Sequence, residues 1–248
     1  MHSFLKEFLV EDSNSDKLHH HGYHRIYPWF LKHLKNQKIQ LLEIGIDQAE
    51  SIKLWCEYFS EIDIYGLDCA EKNFNHPRVK LYRVDQSQED QLQSFAKNIN
   101  TNFDIIIDDG SHVPDHQILT FKHFWSLLKP GGIYIIEDIE TSYWGNSSIL
   151  GYRFNANRSR SNVIEYSKNL VNSVNAEFIP TKYEDLTSEI EMITFAYNSV
   201  IFIKKDFQSF SKYYERSYRF SEKINRWSFC KIISLEFHKL LRRLRITK

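Results

Sequence analysis

Asp108-Asp109-Gly110-Ser111-His112 places two carboxylates and an imidazole within five residues, and Glu137-Asp138 adds a second acidic pair downstream. Each group closes a short apolar run of the kind that forms a buried strand. If the two strands are neighbours they lie ~4.8 Å apart, and their carboxyl ends bring Asp109, Glu137 and Asp138 to one rim. Bare carboxylates at that spacing repel, and one would have to take up a proton. A hard divalent cation relieves the repulsion, since Mg²⁺ takes oxygen ligands at ~2.1 Å and keeps positions open for water or substrate. His112, three residues after Asp109, could then take a proton from a substrate hydroxyl. An Asp-Gly turn, a solvated acidic pair and a helix-capping histidine would read the same in isolation. His116, in the first turn of the following helix, reads as an orienting or packing residue. His19, His20, His21 and His24 form a histidine-rich patch that reads as a surface run more readily than as a transition-metal site.

Three further strand ends carry binding groups. Gly45 follows the apolar run 38–44, where a residue without a side chain lets a ligand approach the backbone, and the next helix offers its N-terminus to an anion. Asp68 ends a second strand 23 residues later, close to the ~20 expected of an acid that receives ribose hydroxyls. Asp85 ends a third, where it could accept from an adenine amino group or make an Asx turn.

The elements that must position these residues alternate in type. Strands are expected over 38–45, 63–68, 79–85, 103–109 and 133–138, with helices over 24–36, 49–59, 88–99 and 114–128. Pro114 sits where a helix starts, and 129–132 reads as a stop and turn. Unbroken apolar strands alternating with helices imply an α/β fold, a doubly wound and mostly parallel sheet covered on both faces. Residues 191–205 read as a hairpin around Tyr197-Asn198-Ser199. Residues 140–190, with a polar stretch at 145–162 and a helix at 163–175, read as a lid. A domain of residues 1–205 is thus expected, followed by a helical extension at 206–248.

Composition agrees with a globular chain: 248 residues, 42% hydrophobic and 26% charged, with no net formal charge. The charge is unevenly spread. Residues 206–248 hold eleven Lys/Arg against four acids, a net of +7, so residues 1–205 carry −7. The tail interleaves apolar and basic residues, as a helix docked on protein or lying weakly on a membrane surface would; nucleic acid is not expected as a partner. Cys56, Cys69 and Cys230 form no disulfide framework or CxxC pattern. With an N-terminal apolar run too short for a signal peptide and no stretch of ~18–20 apolar residues, the expectation is a cytoplasmic protein.

Taken in order, these motifs resemble the class I S-adenosylmethionine-dependent methyltransferases, with a seven-stranded Rossmann-like sheet. The runs Ile107 to His112, Leu128 to Gly132 and Ile136 to Trp144 are more specific, as are Ser15-Asp16-Lys17 and His21-Gly22-Tyr23. They resemble the metal-dependent sugar O-methyltransferases of antibiotic biosynthesis that act on mycinamicin and tetracenomycin-type compounds. The resemblance spans roughly 15–205. It implies Mg²⁺ or Mn²⁺ on Asp109, Glu137 and Asp138, with His112 as general base. It implies S-adenosyl-L-methionine held by Glu43, Gly45 and Ser51 at the methionine end, Asp68 at the ribose, and Asp85 and Gln86 at the adenine. Asp109 also faces the cofactor, and Lys17 and Tyr23 close the pocket. The acceptor would be a sugar or glycosylated small molecule, with a phenol or catechol, or a non-catalytic cofactor-binding module, as alternatives; a homo-oligomer stays open. Where the family commonly has a second glycine, this chain has Ala49.

Overall fold

The computed structural model describes residues 14–156, 162–175 and 189–206. The chain divides into two compact units, 1–205 and 206–248. The expected basic helix of the second unit lies outside the described residues, as do 157–161 and 176–188 of the expected lid.

The first unit is built on a seven-stranded sheet. Its strands are β1 (Lys38–Ile44), β2 (Glu61–Asp68), β3 (Val79–Arg83), β4 (Phe103–Asp108), β5 (Leu128–Glu137), β8 (Ile190–Ala196) and β9 (Ser199–Lys204), in the order β3-β2-β1-β4-β5-β9-β8. The first five are parallel; β9 runs antiparallel to β5, and β8 antiparallel to β9. Between β5 and β8, β6 (Asn146–Ile149) and β7 (Tyr152–Asn155) make a separate two-stranded ribbon.

The apolar runs form a parallel sheet because both faces are covered. Leu42, Ile106, Tyr134 and Phe202 point into one core with Phe121, Phe124 and Trp125. Their neighbours Leu41, Ile105, Ile135 and Ile201 point into the other with Ile52, Trp55, Tyr23 and Tyr27, as a period of two requires. Helix α3 (Glu50–Tyr58) buries Ile52, Trp55 and Tyr58, and α4 (Glu89–Asn98) buries Leu92 and Phe95. Helix α5 (Pro114–Phe124) opens on its proline.

The structure departs from the sequence reading in three elements. The single helix expected over 24–36 is a 3₁₀ turn (Tyr23–Arg25), a short α2 (Tyr27–Leu31) and a second 3₁₀ turn (Lys32–Leu34), preceded by α1 (Asp16–His19). The side chains of Tyr23 and Tyr27 are drawn to Asp138 and Glu137 at the sheet edge, which sets the path of this segment against helical propensity. The helix expected over 163–175 is two pieces, α6 (Val163–Asn169) and α7 (Val171–Val174). Residues 129–132 are not a turn but part of β5; Phe103 pairs with Leu128, and a register shift before Ile105 absorbs the irregularity.

The order of the sheet reverses at β1, which has β2 on one side and β4 on the other. Ligands of open α/β sheets bind outside the carboxyl ends at such a point. Register brings the right residues level there. Ile44 pairs with Asp108, and Asp108 with Ile136, so the next residues along are Gly45, Asp109 and Glu137.

Candidate active site

A cleft of about 970 Å³ opens at these strand ends, within the range of small-molecule sites. Gly45, Ser51, Asp68, Asp85, Gln86, Asp109, His112 and Asp138 all line it. Gly45 has φ +81°, and a Cβ added there would lie 2.0 Å from the Asp109 carbonyl oxygen. The glycine is therefore demanded by the close passage of the β1 and β4 ends as well as by any ligand. Gly45→Ala should cost about 2–4 kcal/mol from the left-handed backbone and the displaced Asp109. A melting temperature within about 1 °C of the parent would contradict this.

Asp68 accepts from the backbone N–H of Ala70 at 2.9 Å and of Ile46 at 3.3 Å, and meets Lys72 Nζ at 3.3 Å. Asp85 makes the Asx turn, accepting from Ser87 N at 2.9 Å and Ser87 Oγ at 2.7 Å, and still lies on the cleft. The Gln86 amide braces the floor: Nε2 donates to Asp108 at 2.6 Å, and Oε1 accepts from Ser111 N at 2.9 Å.

Asp109, His112 and Asp138 converge. They are the group of three metal-ligating side chains found among the described residues, each offering a ligand atom within 4.8 Å of the others. Ligand atoms on one hard cation stand no more than ~4.2–4.8 Å apart, so Asp109 and Asp138 are close enough to share a divalent ion with His112 beside them. His112 and Asp138 have φ +55° and +52°, a left-handed backbone uncommon without glycine and frequent at ligand-binding positions. His112 Nε2 lies 3.7 Å from Asp138 Oδ2, while its Nδ1 is buried with no hydrogen-bond partner. Asp138 Oδ1 also accepts from Tyr23 OH at 2.7 Å and Asn198 Nδ2 at 2.9 Å, and sits 3.0 Å from His21 Nδ1. Burial opposes ionisation of Asp138, but the hydrogen bonds from His21 and Tyr23 outweigh it and hold the carboxyl below its usual range.

Behind this surface lies a second tier that the cleft does not expose. Lys17 is wholly buried, its Nζ 2.6 Å from Asp109, 2.7 Å from Glu137 and 3.3 Å from Glu43. Burial alone would lower its pKa; the three acids overcome that and raise it. Glu137 is bonded through its other oxygen to Tyr27 OH. Glu43 accepts from Ser51 Oγ at 3.0 Å and Trp55 Nε1 at 3.1 Å. Burial pushes its carboxyl up to about 7, with Lys17 pulling the other way. Lys17, Tyr23, Glu43 and Glu137 thus support the cleft from beneath and do not line it.

Asp108, also buried, is pushed up to about 8 by desolvation, against the Gln86 hydrogen bond. An unfolded aspartate loses its proton near pH 4. Between there and about pH 8 the folded chain holds a proton the unfolded one has released, so stability falls as pH rises, by at most about 1.4 kcal/mol per unit. Asp108→Asn should flatten the decline of the urea midpoint between pH 5 and 8; an unchanged slope would refute the assignment.

Four contributors escaped the sequence reading. Tyr27 fell inside an expected helix, His21 inside a histidine run, and Asn198 inside a hairpin turn. Tyr152 of β7 lines the cleft, with its OH 3.5 Å from Asp85 and its ring edge-on to His116 at 4.7 Å. Only the pairing of His21 with Gly22-Tyr23 carried a signal.

No protein-family model matches the chain. It is 36% identical over 138 residues to the 8-demethyl-8-alpha-L-rhamnosyl tetracenomycin-C 2'-O-methyltransferase of Streptomyces olivaceus, covering 52% of this chain and 36% of that protein. It is 34% identical over 131 residues to the mycinamicin VI 2''-O-methyltransferase of Micromonospora griseorubida, covering 47% and 33%. The match therefore spans about a third of each relative's length. The solved MycE methyltransferase of the mycinamycin pathway, in complex with Mg, SAH and mycinamycin VI, is similar with a TM-score of 0.65 at 26% identity, over 75% of this chain and 50% of that one.

Proposed function

We propose that this chain is an S-adenosylmethionine-dependent, divalent-metal-dependent O-methyltransferase whose acceptor is a hydroxyl of a sugar or glycosylated small molecule. The observation that carries this reading is the meeting of Asp109, His112 and Asp138 at the rim of a cleft lined by Gly45, Asp68 and Asp85. Similarity to enzymes that methylate rhamnosyl tetracenomycin and mycinamicin VI supports the acceptor class.

Asp109 and Asp138 on the cleft, with Glu137 behind them, would hold Mg²⁺ or Mn²⁺. Gly45 and Ser51, with Glu43 behind Ser51, take the methionine end of the cofactor. Asp68 receives the ribose hydroxyls, and Asp85 with Gln86 forms the adenine end. When bound, the cofactor supplies a sulfonium methyl group and the cation lowers the pKa of an acceptor hydroxyl. His112 Nε2 takes that hydroxyl's proton, because Nδ1 is buried and Nε2 faces Asp138, whose negative charge stabilises the imidazolium. Tyr23, His21 and Asn198 hold the Asp138 carboxylate in place. The β6–β7 ribbon, through Tyr152, closes the adenine side.

The test is SAH release from S-adenosylmethionine with a panel of rhamnosides and related glycosides, with Mg²⁺ and with excess EDTA. Turnover that needs both glycoside and metal is expected; full turnover in EDTA would reject the metal. Three finer expectations join the proposal. One is a cytoplasmic location, which the free thiols Cys56 and Cys69 suit; no helix among the described residues is long and apolar enough to cross a membrane. Homo-oligomer formation and weak membrane contact through 206–248 are tested by light scattering and by liposome co-sedimentation with and without that segment.

A further inference from the structure

Strands β6 and β7 are joined by a two-residue turn: Ile149 pairs with Tyr152, leaving Leu150 and Gly151 between them. Both have positive φ, +48° and +86°, as the type I′ turn that suits a two-residue hairpin requires. Asparagine, aspartate or glycine fills the first of these positions at little cost, whereas leucine sets its Cβ against the following carbonyl oxygen. The other non-glycine residues at positive φ among the described residues are Asp47, Ala49, His112, Asp138 and Asn198, and none of these has a large apolar side chain. Burial does not offset the strain, since Leu150 is 71% exposed. The ribbon that it closes has only two strands, a marginal unit by itself. Strain of this kind persists where something else holds it, and it gathers at ligand sites. Leu150 lines the cleft, together with Tyr152 and Val84. Tyr152 fixes the place: its OH is 3.5 Å from Asp85 Oδ1 and 3.4 Å from Ser87 Oγ, at the end of the cleft given to adenine. Val84, the residue before Asp85, gives that end an apolar wall. A purine has apolar faces and a polar edge, so Leu150 and Val84 suit the faces as Asp85 suits the amino group.

We propose that Leu150 is a cofactor-binding residue: the hairpin tip lays its side chain on a face of the bound adenine ring and shields that face from water. The proposal rests on the reading of the cleft as an S-adenosylmethionine site. Apolar contact with the base then offsets the strain of the turn, which the free chain leaves uncompensated. The turn thus weakens the free chain slightly and strengthens its hold on the cofactor.

The experiment measures two quantities on the full chain and its variants: the melting temperature without ligand, and SAH affinity by isothermal titration calorimetry. Leu150→Asn removes both the strain and the apolar contact. It should melt about 2–4 °C above the parent and bind SAH about tenfold more weakly, the loss expected when most of a leucine side chain is no longer covered. Leu150→Met keeps an apolar side chain of similar volume in the same strained turn, and should bind SAH within about twofold of the parent. Parent-like SAH affinity in Leu150→Asn would overturn the proposal; if the acceptor KM rose instead, the leucine would belong to the acceptor. Weak SAH binding in both variants would overturn it too, because an apolar contact would then not be what was lost. A melting temperature of Leu150→Asn no higher than the parent's would show an unstrained turn and equally overturn it. No SAH bound by the parent chain would instead remove the cofactor reading itself.

Discussion

Replacement of His112 by alanine should lower methyl transfer by about 10²–10⁴-fold, the usual contribution of a positioned general base, while SAH binding stays within about twofold of the parent. The imidazole sits on the acidic rim with Nε2 toward Asp138, whereas of the groups proposed for the cofactor Gly45, Asp68 and Asp85 occupy other strand ends and Ser51 the first turn of α3. His112 has φ +55°, so alanine adds left-handed strain of about 1 kcal/mol to the loss of the ring. His112→Asn separates the two effects, because asparagine tolerates this backbone. Both variants should lose turnover alike although their melting temperatures differ. Parent-like rates in either would reject His112 as the base; weakened SAH binding with unchanged turnover would assign it to the cofactor.

Asp109→Asn should abolish metal-dependent turnover and reduce Mn²⁺ binding by at least about 100-fold. Asp109 is the one carboxylate that belongs to the trio and also touches Lys17. Asparagine keeps its shape and removes its charge, so the folded cleft should survive with Lys17 still paired to Glu137 and Glu43. The appropriate control is Asp104→Asn, which loses contacts to Lys129 and Gln40 at the opposite end of β4 and should leave Mn²⁺ binding unchanged. Retention of tight Mn²⁺ binding by Asp109→Asn would show that the acidic rim is not the metal centre.

These two outcomes bear on different layers of the site. His112 belongs to the surface layer that lines the cleft. Asp109 joins that surface to the buried tier of Lys17, Glu137, Glu43 and Tyr27, where desolvation pushes the carboxyls of Asp109 and Glu137 up against the pull of Lys17. The cleft is thus lined by residues at strand ends and supported by an ionic layer beneath them.

The upper layer was readable without coordinates. Buried parallel strands announce themselves as unbroken apolar runs, and in a doubly wound sheet the residue after each run must emerge at the carboxyl edge. The pattern therefore puts Gly45, Asp68, Asp85, Asp109, Glu137 and Asp138 at that edge, and of these Glu137 turns beneath the cleft surface. The lower layer could not. Lys17 is 92 residues from Asp109 and 120 from Glu137, and nothing in the local pattern of a lysine and two tyrosines says that they turn inward. Their burial is set by the four acids they meet, Glu43, Asp109, Glu137 and Asp138. It is also why the segment 23–34 breaks into short turns where its apolar spacing called for one helix. Local patterning specifies which strand ends carry the chemistry because strand periodicity is a short-range property. Which distant cation compensates buried charge is decided by the folded interior, where desolvation makes pairing obligatory.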